Sequence, residues 1–356
     1  MLKESHCIKV PKIHGEKTLI LINKLGISDR QREIQKDTQF IYIPLTRQPE
    51  DNDLAVMKTQ VPDLQLEKHI FPERKRQEKT LGEVLENQLS PLLAASLPKA
   101  LDIVGDIAIM EIPSELKNHE SLIGEAVLKT HKNVRTVLAK VGAISGTYRV
   151  REFDVIAGEP RTDTVHKEYG CKYRVDVAKA YFSPRLSHEH KRVASLAQTE
   201  ETVVDLFTGV GPFSVLIAKN NEDAKVYAVD INPDAIELLK ANIRLNRVEN
   251  RVFPILADAR QAVEDKLSGV ADRVIMNLPE KAIEFVDIAC RATKPAGGTI
   301  HFYGFIRLPD SIENMKLRFT EAVEKAGRKV DVFLFAKTIR ATAPYEWQVA
   351  LDAKIL

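Results

Sequence analysis

The stretch VVDLFTGVGPFSVLIAK, residues 203–219, decides the fold. Val203-Val204-Asp205-Leu206-Phe207 is a β-branched and aromatic run, and it enters the turn Gly209-Val210-Gly211-Pro212 with only Thr208 between. An apolar helical pattern follows at once. Strand, glycine turn and helix in succession let a ligand touch backbone, because glycine supplies room and positive φ. The next run, Lys225–Asp230, also reads as a strand and also ends on an acid. Asp230 stands 19 residues beyond Gly211. In a doubly wound sheet an acid there reaches the two hydroxyls of a ribose.

A dinucleotide needs a third glycine, G-x-G-x-x-G, so that pyrophosphate can sit on the helix N-terminus. Here Pro212-Phe213-Ser214 follows Gly211, and the third glycine is missing. Asp205 beside the turn would repel a pyrophosphate but suits the ammonium or sulfonium of S-adenosylmethionine. That cofactor is therefore expected over a dinucleotide, and over an ordinary β–α turn with an incidental Asp. Its expected contacts are Asp205, Phe207, Gly209, Gly211, Asp230, Ile231, Asp258 and Asn277. Asp258 ends a later strand, where it can accept from an adenine amino group or cap the following helix; the two roles are compatible.

Outward from this unit, residues 178–356 alternate strand and helix. Strands are expected at 203–207, Lys225–Asp230, 251–256, 271–276, 298–303, 329–336 and 347–352, with helices that include Pro233–Asn246 and 281–292. The pattern predicts a mostly parallel seven-stranded sheet of Rossmann-like type. Its last two strands have no helix between them and should form an antiparallel hairpin at the edge. Asn277-Leu278-Pro279 follows the fourth strand, at the carboxyl edge where open α/β sheets bind ligands. Enzymes that methylate nitrogen with adenosylmethionine carry an Asn-x-Pro turn at this place; a plain β-turn is the alternative. No aromatic residue follows Pro279, so stacking on a target base must come from elsewhere.

At 356 residues the chain is long enough for two or three domains. Residues 1–63 read as a small α/β unit, with strands at 18–22 and 40–45 around a polar helix or loop at 28–34. Residues 64–79 are charged, contain Pro72, and read as a linker. Residues 80–177 read as a mixed α+β domain. It opens with a helix at 80–85 and continues in period-two runs at 136–141, 148–156, 164–169 and 173–177, which suggests antiparallel hairpins with one wet face.

Net charge is only +2, so charge alone announces no nucleic-acid partner. Basic clusters stand at Lys68-His69 with Arg74-Lys75-Arg76 and Lys79, at Arg185, His188, His190, Lys191 and Arg192, and at Arg247, Arg251 and Arg260; each is also compatible with a solvated face. Glu189 lies within the second cluster, where it reads by itself as part of an ion-paired surface helix. Three scattered cysteines without a C-x-x-C pair argue against a disulfide framework or a thiolate metal site, so no metal is expected. The first residues lack a signal-peptide core, and no apolar run approaches the ~20 residues that span a membrane. A cytoplasmic protein is expected.

As a whole the chain resembles the archaeal and eukaryotic tRNA (guanine-N1)-methyltransferases that act at tRNA position 37. The resemblance rests on Tyr148-Arg149 with Ala157-Gly158-Glu159, Glu168-Tyr169-Gly170-Cys171, Phe182-Ser183-Pro184-Arg185-Leu186 with Glu189-His190, the 205–213 turn, Asp230-Ile231-Asn232-Pro233, and Asn277-Leu278-Pro279, in that order. It implies a class I methyltransferase domain behind two smaller domains. It also implies methyl transfer to guanine N1, with Glu189 as general base, Arg149 on the O6 charge, Asn277 on the base edge and Pro279 shaping the pocket. The target base is flipped out of the anticodon loop, and the first domain contacts the tRNA outer corner. No protein partner is implied, and a monomer is expected. Wyosine-pathway relatives are the neighbouring reading. They share the cofactor but methylate a tricyclic guanosine or transfer an aminocarboxypropyl group, and the intact Asn-Leu-Pro disfavours the latter.

Overall fold

The computed structural model describes residues 2–73, 80–98 and 100–356, and the chain divides into two units, Met1–Thr80 and Leu81–Leu356. The first unit contains β1 (Leu2–Pro11), α1 (Gly15–Lys24), β2 (Gln35–Lys36), β3 (Phe40–Pro44), α2 (Asp51–Gln60) and β4 (Gln65–Pro72). Its antiparallel sheet runs β2-β3-β1-β4, over a core that includes Ile8, Val10, Ile22, Ile43 and Met57.

Two expectations change here. The run 18–22, read as a strand, is part of helix α1. Thr18 and Ile22 are fully buried while Ile20 is 52% exposed. A strand would put all three on one face; only the helical period separates the middle one. The expected linker is also not a linker over 65–72. Those residues form β4, paired with β1 from Leu2↔Pro72 to Lys9↔Gln65, with Phe71 fully buried. The charged Glu67-Lys68 pair and an exposed Ile70 break the alternation of polar and apolar residues that would mark the strand. The remainder of that segment, with the basic run Arg74-Lys75-Arg76 and Lys79, lies outside the described residues.

The second unit opens with α3 (Leu81–Leu85), α4 (Pro91–Ala95), β5 (Leu101–Val104), β6 (Ile107–Met110), α5 (Glu120–Thr130), β7 (Thr136–Ser145) and β8 (Val150–Gly158). These form a sheet in the order β5-β6-β7-β8. β6 and β7 are parallel, and α5 is the crossover that such a pair requires. A hairpin follows, β9 (Asp163–Glu168) and β10 (Cys171–Asp176). It packs against both the middle sheet, where Thr164 donates to Asp106 at 2.6 Å, and the following one. Tyr173 and Val175 join the core of Val203, Phe213 and Leu239. The amides of Asn242 and Asn246 clasp the β10 backbone, accepting from Arg174 N–H at 2.6 Å and from Lys172 N–H at 2.9 Å.

The rest is α6 (Ser187–Leu196), β11 (Thr202–Asp205), α7 (Pro212–Asn220), β12 (Lys225–Asp230), α8 (Pro233–Asn246), β13 (Val252–Leu256), α9 (Ala259–Ala262), β14 (Arg273–Met276), α10 (Val286–Ala292), β15 (Gly298–Arg307), α11 (Ile312–Lys325), β16 (Val330–Ala343) and β17 (Glu346–Ile355). The seven strands run β13-β12-β11-β14-β15-β17-β16. The first five are parallel; the expected antiparallel hairpin is present, with β17 inserted between β15 and β16. Alternate residues serve opposite faces. Val203, Val226, Ile275 and Tyr303 pack against α6, α7 and α8, while Val204, Val229, Val274 and Phe302 pack against α10 and α11. Strand order reverses between β11 and β14. At such a switch point the flanking loops diverge and leave a crevice at the carboxyl edge.

Candidate active site

Three acceptor side chains converge on that crevice. Asp205 closes β11, Asp230 closes β12, and Asn277 follows β14; these strands lie side by side. Asp205 is fully buried. The Ser214 hydroxyl donates to its Oδ2 at 2.7 Å, and its Oδ1 has no hydrogen-bond partner among the described residues. Burial, only partly offset by that hydroxyl, pushes the Asp205 carboxyl up to about 6. Asn277 Oδ1 is likewise buried and unpartnered. Buried acceptors left open are costly, and a bound donor removes the cost.

The glycine turn is tied to the second acid. Gly209 N–H donates to Asp230 Oδ2 at 2.7 Å, and Asn232 N–H donates to Oδ1 at 2.9 Å. Burial nevertheless raises the Asp230 carboxyl. Gly211 has φ +88° and caps α7, and a Cβ there would lie 2.3 Å from Leu239 Cδ1. Asp258 accepts from Arg260 N–H at 2.8 Å, so the cap of α9 is realised. Ile231 is 39% exposed at the rim. Phe207 stands edge-on to Phe285 with centroids 5.1 Å apart.

Arg149, inside the run 148–156 expected as a strand, lies just outside the observed β8. It sits in the turn before β8 with φ +54°, and its guanidinium grips Glu280 with both Nη atoms, Nη2 donating to Oε1 at 3.0 Å. The turn thus brings Arg149 to the residue that follows Pro279.

Glu189 departs most from its plain reading. It is only 5% exposed. Arg192 Nε donates to Oε1 at 3.1 Å and to Oε2 at 3.0 Å, Arg192 Nη2 donates to Oε2 at 2.9 Å, and the Tyr303 hydroxyl donates to Oε2 at 2.9 Å. Phe302 pairs with Met276, so Tyr303 stands level with Asn277 on the neighbouring strand. No hydrogen bond or ion pair joins Glu189 directly to Arg149 or Asn277.

The basic cluster of 185–192 is therefore not one solvated face. His190 is buried and bonds Glu168 at 2.7 Å, Arg192 points inward, and Arg185 pairs with Asp102. Burial alone would raise the Glu168 carboxyl, but the two histidines beside it, His166 and His190, hold it at about 2. Arg260 is also engaged, with Asp287 at 2.8 Å.

A cleft of about 250 Å³ opens beside the Arg149–Glu280 pair. Lys140, Arg149, Arg151, Arg185 and Arg340 line it, opposed by Asp102 and Glu280. The excess of cations suits a polyanion. Tyr181 and Phe182, also in its wall, offer the aromatic faces that the Asn277 turn lacks. Sequence reading named neither these roles nor Tyr303, His301, Asp352, Glu280 and Arg340. Their partners lie far off in the chain, and nothing local marks them.

Comparison with known proteins accounts for the arrangement. Residues 164–333 match the TRM5/TYW2 methyltransferase domain, 81–162 the TYW2 N-terminal domain, and 7–53 the tRNA methyltransferase 5 N-terminal domain. The tRNA (guanine(37)-N(1))-methyltransferase Trm5b of Pyrococcus abyssi is 41% identical over 348 residues, covering 98% of each chain. The tRNA(Phe) (4-demethylwyosine(37)-C(7)) aminocarboxypropyltransferase of Methanocaldococcus jannaschii is 36% identical over 251 residues, 70% of this chain and 96% of that one. Among solved structures, a complex of aTrm5 with tRNALeu aligns with TM-score 0.69 at 35% identity, over 98% of this chain and 99% of that one. The M. jannaschii TYW2 in complex with AdoMet aligns with TM-score 0.56 at 32% identity, over 72% and 99%. The chain belongs to the TRM5/TYW2 family of class I methyltransferases, as the order of its motifs along the sequence implies.

Proposed function

We propose that the chain transfers the methyl group of S-adenosylmethionine to N1 of guanosine 37 in tRNA. The observation that carries this reading is the meeting of Arg149 with the Asn277–Glu280 turn at the switch-point edge, in a chain similar end to end to a Trm5b. S-adenosylmethionine supplies an electrophilic methyl group. Asp205 would hold its ammonium, Asp230 its ribose hydroxyls, and Phe207, Ile231 and Asp258 its adenine side. Guanine N1 carries a proton at neutral pH and is a poor nucleophile until that proton leaves. Glu189 removes it. The charge moves to O6, where Arg149 meets it. Asn277 takes the base edge, and Pro279 fixes the turn. The base enters flipped from the anticodon loop.

A second reading is aminocarboxypropyl transfer in the wyosine pathway, favoured by the match of 81–162 to the TYW2 N-terminal domain. The intact Asn277-Leu278-Pro279 counts against it. Unmodified tRNA and tRNA carrying 4-demethylwyosine at position 37, each incubated with cofactor labelled separately in its methyl and carboxyl carbons, separate the two. Methyl label alone entering the RNA is expected; carboxyl label entering would overturn the reading.

Cofactor affinity should depend on pH. The Asp205 carboxyl stands at about 6 in the free protein, and a bound cation favours its ionised form, so binding expels a proton below that pH. Affinity should therefore be about tenfold weaker at pH 5 than at pH 7, and the raised Asp230 works in the same direction. Calorimetry that finds equal affinity at both would contradict the placement of Asp205. Asp230→Ala should weaken the cofactor by about 1–3 kcal/mol, the scale of a charged hydrogen bond lost. Unchanged affinity would place the ribose elsewhere.

The first unit docks on tRNA away from the reacting base. A tethered second contact raises local concentration, so it matters most when tRNA is dilute. Removing residues 1–80 should raise the tRNA requirement and leave the saturated rate less affected. A minimal anticodon stem-loop should be methylated equally with and without them. Equal losses on stem-loop and full tRNA would make the unit a folding support.

A further inference from the structure

The groups behind Glu189 form a buried chain that the proposed chemistry does not use. Arg192 holds Glu189 with Nε and Nη2 and also reaches Asp352, Nη2 donating to Oδ1 at 3.1 Å and Nη1 donating to Oδ2 at 2.5 Å. Asp352 Oδ1 lies 2.7 Å from His301 Nδ1, and His301 Nε2 lies 2.6 Å from Arg273 Nη1. Arg273 in turn pairs with Glu201 at 3.0 Å. Asp352 and His301 are 1% and 0% exposed.

The protons in this chain can be assigned. A guanidinium only donates, so His301 Nε2 must accept from Arg273. His301 then carries its proton on Nδ1 and donates it to Asp352. The imidazole is neutral, in line with burial, which lowers the His301 pKa. Asp352 stays ionised: burial alone would raise it, but His301 and Arg192 hold it at about 2.

Three carboxylates, Glu189, Asp352 and Glu201, thus face two guanidiniums, Arg192 and Arg273. The chain of groups holds one excess negative charge while Glu189 is ionised and none once Glu189 takes a proton. Arg192 never loses its counter-ion, because Asp352 remains. Without Asp352 the balance inverts: the chain is neutral with Glu189 ionised, and protonation leaves Arg192, whose side chain is only 20% exposed, without a counter-ion. Such a stranded charge is strongly unfavourable.

We propose that Asp352, acting through Arg192, is a positioning residue that sets the basicity of Glu189. The inference rests on the proposed role of Glu189 as base. Other titratable groups near Glu189 are His190 on α6 with Glu168 on β9, the neutral Tyr303 on β15, and Lys337 on β16, whose Nζ lies 5.7 Å from the Phe335 ring that also carries Arg192 at 4.0 Å. None replaces Asp352 as the second anion on Arg192.

The test is the single-turnover methylation rate of the full chain on unmodified tRNA, followed from pH 5 to 9. Asp352→Asn keeps the shape and removes the charge. Its acid limb should move down by about 1 pH unit, and its plateau should fall roughly three- to tenfold, because a weaker base is a slower one. Cofactor affinity should not change. Asp352→Glu should return the limb toward the wild-type position. Arg192→Gln gives the opposite sign, with the limb moving up, and serves if Asp352→Asn does not fold. A folded Asp352→Asn or Arg192→Gln variant with the wild-type limb would overturn the proposal. Glu189→Gln run beside them separates the two layers. If it is inactive while Asp352→Asn behaves as wild type, only the counter-charge role falls. If it is active, the base itself is misassigned.

Discussion

Glu189→Gln should slow single-turnover methylation by about 10²–10⁴ while cofactor affinity stays near its normal value. The substitution preserves shape, since an amide oxygen still accepts from Arg192 and Tyr303. It removes the charge and with it the ability to take a proton, and Arg192 keeps Asp352 as its counter-ion. The magnitude follows from the nucleophile: with the proton on guanine N1, the lone pair that attacks the methyl group is not available. Arg192 and Tyr303 hold the Glu189 carboxylate in one orientation through bonds of 2.9–3.1 Å. A variant with near-normal rate from pH 6 to 9 would mean that another group removes the proton.

Arg149→Ala should slow the chemical step by about 10²–10³ and weaken tRNA binding much less, because the charge it meets develops only in the transition state. Folding should be little affected, since the partner left behind, Glu280, is 54% exposed at its side chain. Base substitution at position 37 checks the same assignment from the other side. Inosine keeps N1–H and O6 and should remain a substrate. Adenosine lacks both and should be rejected, and efficient methylation of the adenosine variant would remove Arg149 from O6.

The parts of this molecule that a reader could see in the sequence are those whose cause is local. The Gly209–Gly211 turn, the acids at Asp205 and Asp230 and the period of Pro233–Asn246 all follow from neighbours within a few residues, and the parallel sheet follows from their alternation. The 18–22 run misled because β-branched residues favour strands in isolation, whereas burial of Thr18 and Ile22 against the first sheet selects the helix. β4 was hidden because its exposed positions, Gln65, Lys68 and Ile70, and its half-buried ones mix polar and apolar residues without a clean alternation. The setting of Glu189 was out of reach: Arg192 and Asp352 are 160 residues apart, and only the insertion of β17 beside β15 brings them together. The Arg149–Glu280 pair, 131 residues apart, is the same case.

The most direct measurement of the central claim is nucleoside analysis of an unmodified tRNA transcript after one turnover with the full chain and methyl-labelled S-adenosylmethionine, with the label mapped by fragment mass. The account predicts one N1-methylguanosine per tRNA, at position 37. A methyl group on another atom of guanine, or on any other nucleotide, would contradict it.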